Sequence, residues 1–364
     1  MSGLIRAVID TNALQHNLSV IRARAGNARV MAVVKANAYG HGLMETALAL
    51  HAADAFGVAR LGEGLLLRRA RITQPIVLLE GVFDAEQLEL AAHHRLDLVV
   101  HDALQVELLE KRRGTHRFVL WIKIDTGMNR LGFPATEFAA ALERVRRLTP
   151  APLEIRLLTH LACANERDEA VTQAQLACFR QATGGLKYAV SIANSAGLFG
   201  SVPLGCDWVR PGLALYGASP FADCAASELG LKPAMRLESS VIAVRHVARG
   251  ESVGYGGAWV AARDSRIAII AAGYGDGLHR SLAGGTPVLV DGERAPLAGR
   301  VSMDMMAVDV SGLREVRVGT PAVLWGPGLP VEEVARHAGT IPYELLCAVS
   351  QRVQLVVSRR VEAL

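Results

Sequence analysis

Short apolar runs alternate with amphipathic segments through the first 230 residues, and this rhythm limits the folds open to the chain. Runs such as VMAVVK and LDLVV read as buried strands, whereas segments such as DAEQLELAAHHR place apolar residues on one helical face. Repeated strand–helix units form parallel sheets, and about eight of them predict an α/β fold, a closed (β/α)8 TIM-like barrel. An open doubly wound sheet is the alternative. No G-x-G-x-x-G follows the first strand, RAVID, which weakens its dinucleotide-binding version.

The pattern changes near residue 233. Short strands are now separated by Gly, Pro and Asp-Gly, and VLVDGERAPL carries the Asp-Gly turn of a tight hairpin. The sequence therefore predicts two domains, a barrel over residues 1–232 and a mainly β domain over residues 233–364.

Composition excludes several classes of protein. Hydrophobic residues make up 51% and charged residues 20%, which is typical of large buried cores. The net charge is only +4 and no basic cluster is interleaved with aromatics, so we expect no nucleic-acid partner. The five cysteines form no C-x-x-C pair, which argues against a disulfide framework and a zinc site, and no metal is predicted. We find no signal peptide and no run of 18 apolar residues, and expect a cytoplasmic protein without a membrane partner.

Polar residues stand where several predicted barrel strands end. They are Lys35 after VMAVV, His160 after EIRLLT, Asn194 and Ser195 after AVSI, and Arg210 after CDWV. The carboxyl ends of barrel strands meet at one rim, where catalytic groups lie. A lysine above apolar walls there would have a depressed pKa and become nucleophilic toward a carbonyl. On local sequence alone, a lysine that merely reaches solvent is the alternative.

Nine motifs in order carry a resemblance over nearly the whole chain: VVKANAYGHG, WIKIDTGMNRLG, THLA, ANSAG, VRPGLALYG, GYGGAW, AAGYGDG, GRVSMDM and IPYEL. Together they resemble the alanine racemase family, isomerases with pyridoxal 5′-phosphate (PLP) that are built from a barrel and a β domain. The resemblance implies that the chain interconverts L-alanine and D-alanine. Whether the D-alanine serves as a peptidoglycan precursor or alanine is broken down is left open.

The resemblance implies two bases on opposite faces of the substrate Cα. Lys35 matches the lysine that bears PLP and acts on one face, and Tyr255 in SVGYGGAW matches the base on the other. A phenol has an ordinary pKa of about 10, so cationic neighbours must lower the pKa of Tyr255. The family supplies a hydrogen-bonded chain through His160 to Arg210, which faces the pyridine nitrogen. Arginine can only donate, so that nitrogen stays unprotonated, which we expect to suppress transamination.

Other roles also follow from the resemblance. Besides Lys35, His160 and Arg210, the implied cofactor-binding residues are Tyr39, Asn194, Ser195, Gly212, Leu213 and Tyr343. The implied substrate-binding residues are Arg130, Met303, Asp304 and Tyr274. Lys123 lies in an apolar strand and matches a lysine that is carbamylated by CO₂ and positions Arg130. An unmodified Lys123 paired with Asp125 is the alternative.

In this family the β domain of one subunit supplies Tyr255, Met303 and Asp304 to the barrel of the other, which implies a homodimer with shared active sites. Three alternatives remain: a related PLP racemase of broader specificity, an amino-acid decarboxylase, and a non-catalytic protein of PLP homeostasis. Decarboxylases of this group place a cysteine in the β domain, but GRVSMDM has none. The homeostasis proteins consist of the barrel alone.

Overall fold

The computed structural model describes residues 5–358. The first part of the chain alternates strands and helices as the sequence predicts. In chain order its elements are β1 (Arg6–Asp10), α1 (Thr11–Ala25), β2 (Arg29–Val33), α2 (Lys35–Tyr39), α3 (Leu43–Ala49), β3 (Ala55–Val58), α4 (Leu61–Arg69), β4 (Ile76–Leu78), α5 (Ala85–His93), β5 (Asp97–Val100), α6 (Ala103–Lys111), β6 (Val119–Asp125), β7 (Phe133–Pro134), α7 (Phe138–Arg146), β8 (Glu154–Leu158), α8 (Ala170–Thr183), β9 (Ala189–Ser191), α9 (Ser195–Phe199) and β10 (Trp208–Val209).

Eight of these strands close into a parallel barrel. The nine-stranded sheet runs β5-β4-β3-β2-β10-β9-β8-β6-β7, and a further β5–β6 pairing closes the ring, leaving only the short β7 outside it. Parallel strands need helical crossovers, and the amphipathic helices supply them. Local caps set where these helices begin: Asp84 accepts from the amide of Gln87 at α5, and Asp102 from the amide of Leu104 at α6. The predicted barrel is confirmed.

The barrel interior is packed rather than hollow. Its strands contribute a separate cluster of buried side chains, namely Met31, Ala55, Val77, Val99, Trp121, Leu158 and Trp208. Trp121 and Trp208 meet edge to face at 5.5 Å between ring centroids, and the guanidinium of Arg156 lies 4.8 Å from each ring. Filling the interior in this way leaves the rim at the carboxyl ends of the strands as the place for a site.

The rest of the chain is mainly β, also as predicted. Its elements are a 3₁₀ helix (Leu213–Tyr216), β11 (Met235–Val247), β12 (Ser252–Val253), a 3₁₀ turn (Tyr255–Gly257), β13 (Trp259–Val260), β14 (Ser265–Ile270), a 3₁₀ turn (Tyr274–Asp276), β15 (Pro287–Val290), β16 (Glu293–Pro296), β17 (Met306–Asp309), β18 (Pro321–Trp325), α10 (Val331–Ala338), α11 (Pro342–Ala348) and β19 (Gln354–Ser358). The long β11 joins β14, β18 and β1, and β12–β13 forms a separate hairpin.

The first strand differs from the sequence-based division of the chain. The sequence predicts a barrel over residues 1–232, but β1 pairs antiparallel with β11 and parallel with β19 in the second sheet. The physical reason is that β1 is a short buried strand whose local pattern does not specify its partner. Only the return of the chain at β11 and β19 provides the two edges that flank it.

None of the helices within residues 5–358 has both the length and the apolarity that a bilayer crossing requires.

Candidate active site

Basic side chains converge at the carboxyl rim of the barrel. Lys35 follows β2, Lys123 lies in β6, His160 follows β8 and Arg210 follows β10. Strand register sets their level, because Lys123 pairs with Leu158 and Leu158 pairs with Ser191 around the ring. Their charges act on one another, since Arg210, Lys123 and Lys35 all lower the pKa of His160.

Arg210 is held rigidly in the barrel wall. It is 5% exposed, and it donates from Nη1 to Ser191 Oγ (2.6 Å) and from Nη2 to the carbonyl of Thr159 (2.6 Å). Nη2 also lies 3.3 Å from the carbonyl oxygen of Ile192 and 3.3 Å from His160 Nδ1. Burial lowers the pKa of Arg210 to about 10, so the guanidinium remains charged near neutrality.

His160 is a neutral histidine with a defined tautomer. Burial, followed by the charges of Arg210 and Arg130, lowers the pKa of His160 to about 2. Because the Arg210 guanidinium can only donate, His160 Nδ1 must accept its hydrogen bond. The proton of the neutral ring therefore sits on Nε2, which makes that nitrogen a donor.

Both rim lysines are shifted toward the neutral amine. Burial lowers the pKa of Lys35, and Arg130 lowers it further, while Glu80 and Glu63 oppose the shift. Burial and Arg130 also lower the pKa of Lys123 to about 8. Each shift increases the fraction of neutral amine, which is the form that is nucleophilic toward an electrophilic carbon.

Lys123 has no carboxylate partner among the residues that the structure describes. Its side chain is 7% exposed, and within residues 5–358 no ion pair to it is formed. The nearby Asp125 accepts instead from the amides of Gly127 (2.9 Å) and Asn129 (3.1 Å) in its own loop. Asp125 therefore acts on Lys123 through its charge, which raises the pKa of the amine, and within residues 5–358 no direct ion pair joins the two side chains.

A left-handed turn follows Lys35 directly. Ala36, Asn37, Ala38 and Tyr39 have φ of 53°, 53°, 53° and 50°, although none is glycine. Such a conformation costs roughly 1–2 kcal/mol per residue. Strain of this kind is maintained only where the surroundings over-determine it, and it is common at functional sites. The turn redirects the chain at the position where β2 delivers Lys35 to the rim.

An anion-binding cradle lies beside this turn. Ser195 Oγ accepts from the amides of Gly212 (3.0 Å) and Ala214 (3.2 Å), so these two N–H groups fix the serine oxygen and its own O–H remains a donor. A Cβ at Gly212 would lie only 2.5 Å from the Tyr39 hydroxyl oxygen, which requires glycine there. The cradle therefore offers the hydroxyls of Ser195 and Tyr39 as donors to an anion such as a phosphate.

The remaining predicted cofactor residues surround the cradle. Tyr343 of α11 lies with its ring 5.8 Å from that of Tyr39, and burial raises the pKa of Tyr343 to about 12. Leu213 is fully buried next to Gly212. Asn194 has a different contact, since its Oδ1 caps α9 by accepting from the amide of Gly197 (2.9 Å).

The residues predicted on the second domain do not join the rim within one chain. The Tyr255 side chain is 67% exposed, Met303 is 52% exposed and Tyr274 is 39% exposed. Between residues 5 and 358, the Tyr255 hydroxyl makes no hydrogen bond to the barrel. Asp304 pairs with Arg352 at 2.7 Å. Arg130, by contrast, lies on the loop after β6, where its charge lowers the pKa of Lys35.

Two loops of the second domain are joined to each other. The amide of Tyr274 donates to the carbonyl of Ser302 (3.0 Å), and that of Gly275 donates to the carbonyl of Met303 (2.8 Å). A Cβ at Gly273 would lie 2.3 Å from the Met303 carbonyl oxygen, so this close approach excludes larger residues. The exposed Tyr274 and Met303 side chains are therefore presented as one unit.

Sequence reasoning missed three residues that support the rim. Ser191 anchors Arg210, and its signal was a serine inside an apolar strand. Glu63 binds the amide of Ala36 at 2.7 Å, and its position in the first turn of α4 was a possible signal. His41 is fully buried under the left-handed turn, and a lone histidine in the sequence carries too little local information to indicate this role.

Two family models match the chain. One is described as "Alanine racemase, N-terminal domain" and covers residues 9–220, and the other as "Alanine racemase, C-terminal domain" and covers residues 234–357. Together they span both parts of the fold.

The chain is similar to other proteins over nearly its whole length. The chain is 50% identical over 350 residues to the alanine racemase of Nitrosococcus oceani, covering 96% of this chain and 98% of that one. It is 46% identical to the enzyme of Vibrio vulnificus, covering 97% and 98% of the two chains. Among solved structures, the biosynthetic alanine racemase of Pseudomonas aeruginosa superimposes with a TM-score of 0.95 at 47% identity, covering 98% and 100%. Alanine racemase from Acinetobacter baumannii gives 0.92 at 39% identity, with the same coverage.

Proposed function

The chain belongs to the alanine racemase family and interconverts L-alanine and D-alanine; we propose that it does so with PLP held at the barrel rim, between Lys35 and a phenol from a second copy of the chain. The observation that carries the proposal is the convergence of a lysine of lowered pKa, a neutral histidine and a buried arginine on this rim.

The residues present fit PLP. The cofactor carries an aldehyde, a phosphate and a pyridine ring. Lys35 would supply an amine for the aldehyde, and the Ser195 hydroxyl, whose oxygen is fixed by the amides of Gly212 and Ala214, would supply a donor for the phosphate together with the nearby hydroxyls of Tyr39 and Tyr343. The missing Cβ of Gly212 leaves room beside Tyr39. When bound, PLP acts as an electron sink that makes the α-proton of an amino acid removable.

Racemisation needs one base on each face of the substrate Cα. We assign Lys35 to one face and Tyr255 to the other. Each residue removes the α-proton in one direction of the reaction and returns a proton to Cα in the opposite direction.

His160 and Arg210 prepare the phenol. The N–H at His160 Nε2 is a donor, because Nδ1 accepts from Arg210. In the proposed dimer this donor would bind the Tyr255 oxygen and stabilise the negative charge that develops on it during proton transfer. Arg210 is fixed by Ser191 and Thr159, and it would donate a hydrogen bond to the pyridine nitrogen of PLP. Because arginine has no acceptor atom, it would not stabilise a proton on that nitrogen.

Lys123 and Arg130 form the carboxylate-binding side of the site. A buried amine with a pKa of about 8 is partly neutral near neutral pH, and a neutral amine adds CO₂ with release of a proton to form a carbamate. The carbamate would replace an unpaired buried cation with an anion that holds Arg130. Arg130 would then bind the carboxylate of alanine by charge-assisted hydrogen bonds.

The second base must come from another copy of the chain. Within one chain Tyr255, Met303 and Tyr274 are exposed, as expected of groups that a partner covers. We therefore propose a homodimer in which these residues complete the partner's barrel rim, with Met303 and Asp304 closing the substrate pocket and Tyr274 narrowing its mouth.

Two measurements test the proposal. The purified PLP-loaded protein is incubated with L-alanine, and D-alanine, CO₂ and unchanged substrate are followed. D-alanine formation is expected, whereas CO₂ release would indicate a decarboxylase and a cofactor-loaded protein without turnover would indicate a non-catalytic PLP protein. Borohydride reduction followed by peptide mass spectrometry should place the cofactor on Lys35, and labelling of a different lysine would refute the assignment.

A further inference from the structure

The turn that follows Lys35 is tied to the neighbouring barrel unit by one carboxylate. Glu63 accepts from the amide of Ala36 through Oε1 (2.7 Å), and from the amides of Ala59 (2.9 Å) and Arg60 (3.0 Å) through Oε2. The same side chain therefore links the end of β2 to the end of β3.

Helix capping explains only part of this arrangement. A glutamate in the first turn of a helix commonly binds the amides that precede the helix, and the bonds to Ala59 and Arg60 fit that role at the start of α4. The bond from Glu63 Oε1 to Ala36 is different, because Ala36 lies on another loop. Capping of α4 does not require it.

The left-handed turn needs support from outside because its residues disfavour this conformation. At the start of the turn, Glu63 binds the amide of Ala36, the first left-handed residue. At the other end, Nδ1 of the fully buried His41 lies 3.1 Å from the carbonyl oxygen of Ala38 and 2.8 Å from that of Tyr39. Side chains outside the turn therefore fix it at both ends.

We propose that Glu63 is a positioning residue for Lys35: by binding the amide of Ala36 it maintains the left-handed turn and thereby directs the lysine into the barrel mouth. The inference rests on the proposed role of Lys35 as the cofactor's anchor, and it adds the residue that orients this anchor. Glu63 acts through the turn and not by contact with the reacting atoms.

A second carboxylate provides a matched control. Glu80, like Glu63, raises the pKa of Lys35 by its charge. Its carboxylate pairs with Arg60 Nη1 at 3.0 Å, and in the part of the chain that the structure describes it binds no amide of the turn. Removal of Glu80 therefore changes the charge near the amine and leaves the turn held.

The experiment compares the full-length wild type with Glu63→Gln, Glu63→Asp and Glu80→Gln, each prepared without cofactor. PLP affinity is measured by absorbance titration, and the fraction trapped on Lys35 by borohydride is measured by peptide mass spectrometry at several pH values. Gln has one acceptor oxygen and cannot serve both loops, so Glu63→Gln should weaken PLP binding about tenfold to hundredfold, as expected for loss of a charge-assisted hydrogen bond.

The two other variants separate the effect of side-chain length at Glu63 from the effect of negative charge near Lys35. Glu63→Asp keeps the charge but is one methylene shorter, so it should also lose affinity. Glu80→Gln should keep wild-type affinity. Loss of either negative charge lowers the pKa of Lys35, so trapping in Glu63→Gln and Glu80→Gln should shift to lower pH.

Several outcomes would overturn the inference. These are wild-type affinity in both Glu63 variants, or equal losses in Glu63→Gln and Glu80→Gln, which would assign the effect to charge alone. A wild type that traps no cofactor on Lys35 would refute the proposed function itself, and this inference with it. If Glu63→Gln does not fold, hydrogen exchange of the wild type tests the inference instead. The Ala36 amide should be protected, and fast exchange there would refute its hydrogen bond to Glu63.

Discussion

The barrel rim and the loops of the second domain contribute to the proposed site in opposite ways. The rim is buried, cationic and held by contacts within one chain, as Arg210 shows with its bonds to Ser191 and Thr159. The loops are exposed, and Tyr255 lies 67% accessible at the tip of a two-stranded hairpin. Under the proposed function, this difference means that one chain would preorganise cofactor binding and that association with a second chain would place the second acid–base group.

The largest effects are expected when the barrel rim and the loop of the second domain are inactivated separately. Lys35→Ala should abolish racemisation, and Tyr255→Phe should reduce it about 10²–10⁴-fold, because each variant removes one proton-transfer group. Racemisation is measured by chiral chromatography. Tyr255→Phe should still bind PLP, since the cofactor side belongs to the rim.

Mixing these two inactive proteins tests whether the halves come from different chains. A heterodimer would contain one intact site, so random exchange should restore about a quarter of wild-type activity. No recovery under conditions where subunit exchange is demonstrated would contradict the shared site.

The next effect concerns the rim alone. Arg210→Glu replaces a donor by a potential proton acceptor, and we expect racemisation to fall about 10²-fold while pyruvate from transamination rises. Both products are quantified from the same incubation. Arg210→Lys keeps the positive charge and should not raise the pyruvate fraction, and an unchanged partition in Arg210→Glu would refute the argument about the pyridine nitrogen.

A further prediction concerns the carbamylation of Lys123, which would reduce the excess positive charge of the rim. With ¹³C-labelled bicarbonate, the wild type should show a carbamate signal that grows as the pH rises from 7 to 9, because the pKa of Lys123 is about 8 and only the neutral amine reacts. Lys123→Ala should lack the signal and lose about tenfold to hundredfold in activity through misplacement of Arg130. A wild type without the signal would leave Lys123 as an unmodified amine.

Buried neutral histidines should make the rim sensitive to acid. Burial lowers the pKa of His41 from 6.5 to about 4 and that of His160 from 6.5 to about 2. Below pH 6.5 the unfolded chain therefore binds protons that the folded chain does not, and the free energy of unfolding should fall as the pH falls. The slope should approach about 1.4 kcal/mol per pH unit for each histidine.

Urea unfolding of the cofactor-free protein at pH 7, 6 and 5 measures this slope. His41→Gln keeps a donor for the turn but does not titrate, so its stability should depend less steeply on pH. An identical slope in the variant would show that His41 is not the source.

The smallest effect is expected in the second domain. Arg352 joins Asp304 at 2.7 Å, with both side chains about half exposed at 53% and 54%, so this pair is worth at most about 1 kcal/mol; Arg352 also lies 3.4 Å from the buried carboxylate of Asp276. Arg352→Met should raise KM for alanine up to about fivefold with a smaller change in kcat. Arg294→Met, which breaks an ion pair to Glu333 away from these loops, should leave KM unchanged.

Much of the fold could be predicted from the sequence because its determinants are local. Alternating strand and helix signals predicted the barrel, and Gly- and Pro-separated strands predicted the β domain. The place of β1 could not be predicted, since its partners β11 and β19 are more than two hundred residues away.

The site divides in the same way. Strand-end polar residues and nine motifs predicted which residues matter at the rim, and the roles of Lys35, Tyr255, His160 and Arg210 stay predictions until they are tested. Glu63 and Ser191 could not be found in this way, because each binds a residue that belongs to a different strand–helix unit of the barrel. The pKa of Lys123 could not be read from the sequence either, because it depends on burial and on the charge of Arg130.

The sequence by itself determined the order of secondary-structure elements, the family and the chemical types at the rim, since all of these are written in short contiguous stretches. Tertiary structure alone decided the left-handed turn after Lys35, the neutral state of His160 and the exposure of Tyr255. The physical reason is that strain, desolvation and burial depend on groups that are distant in the chain and meet only after it folds.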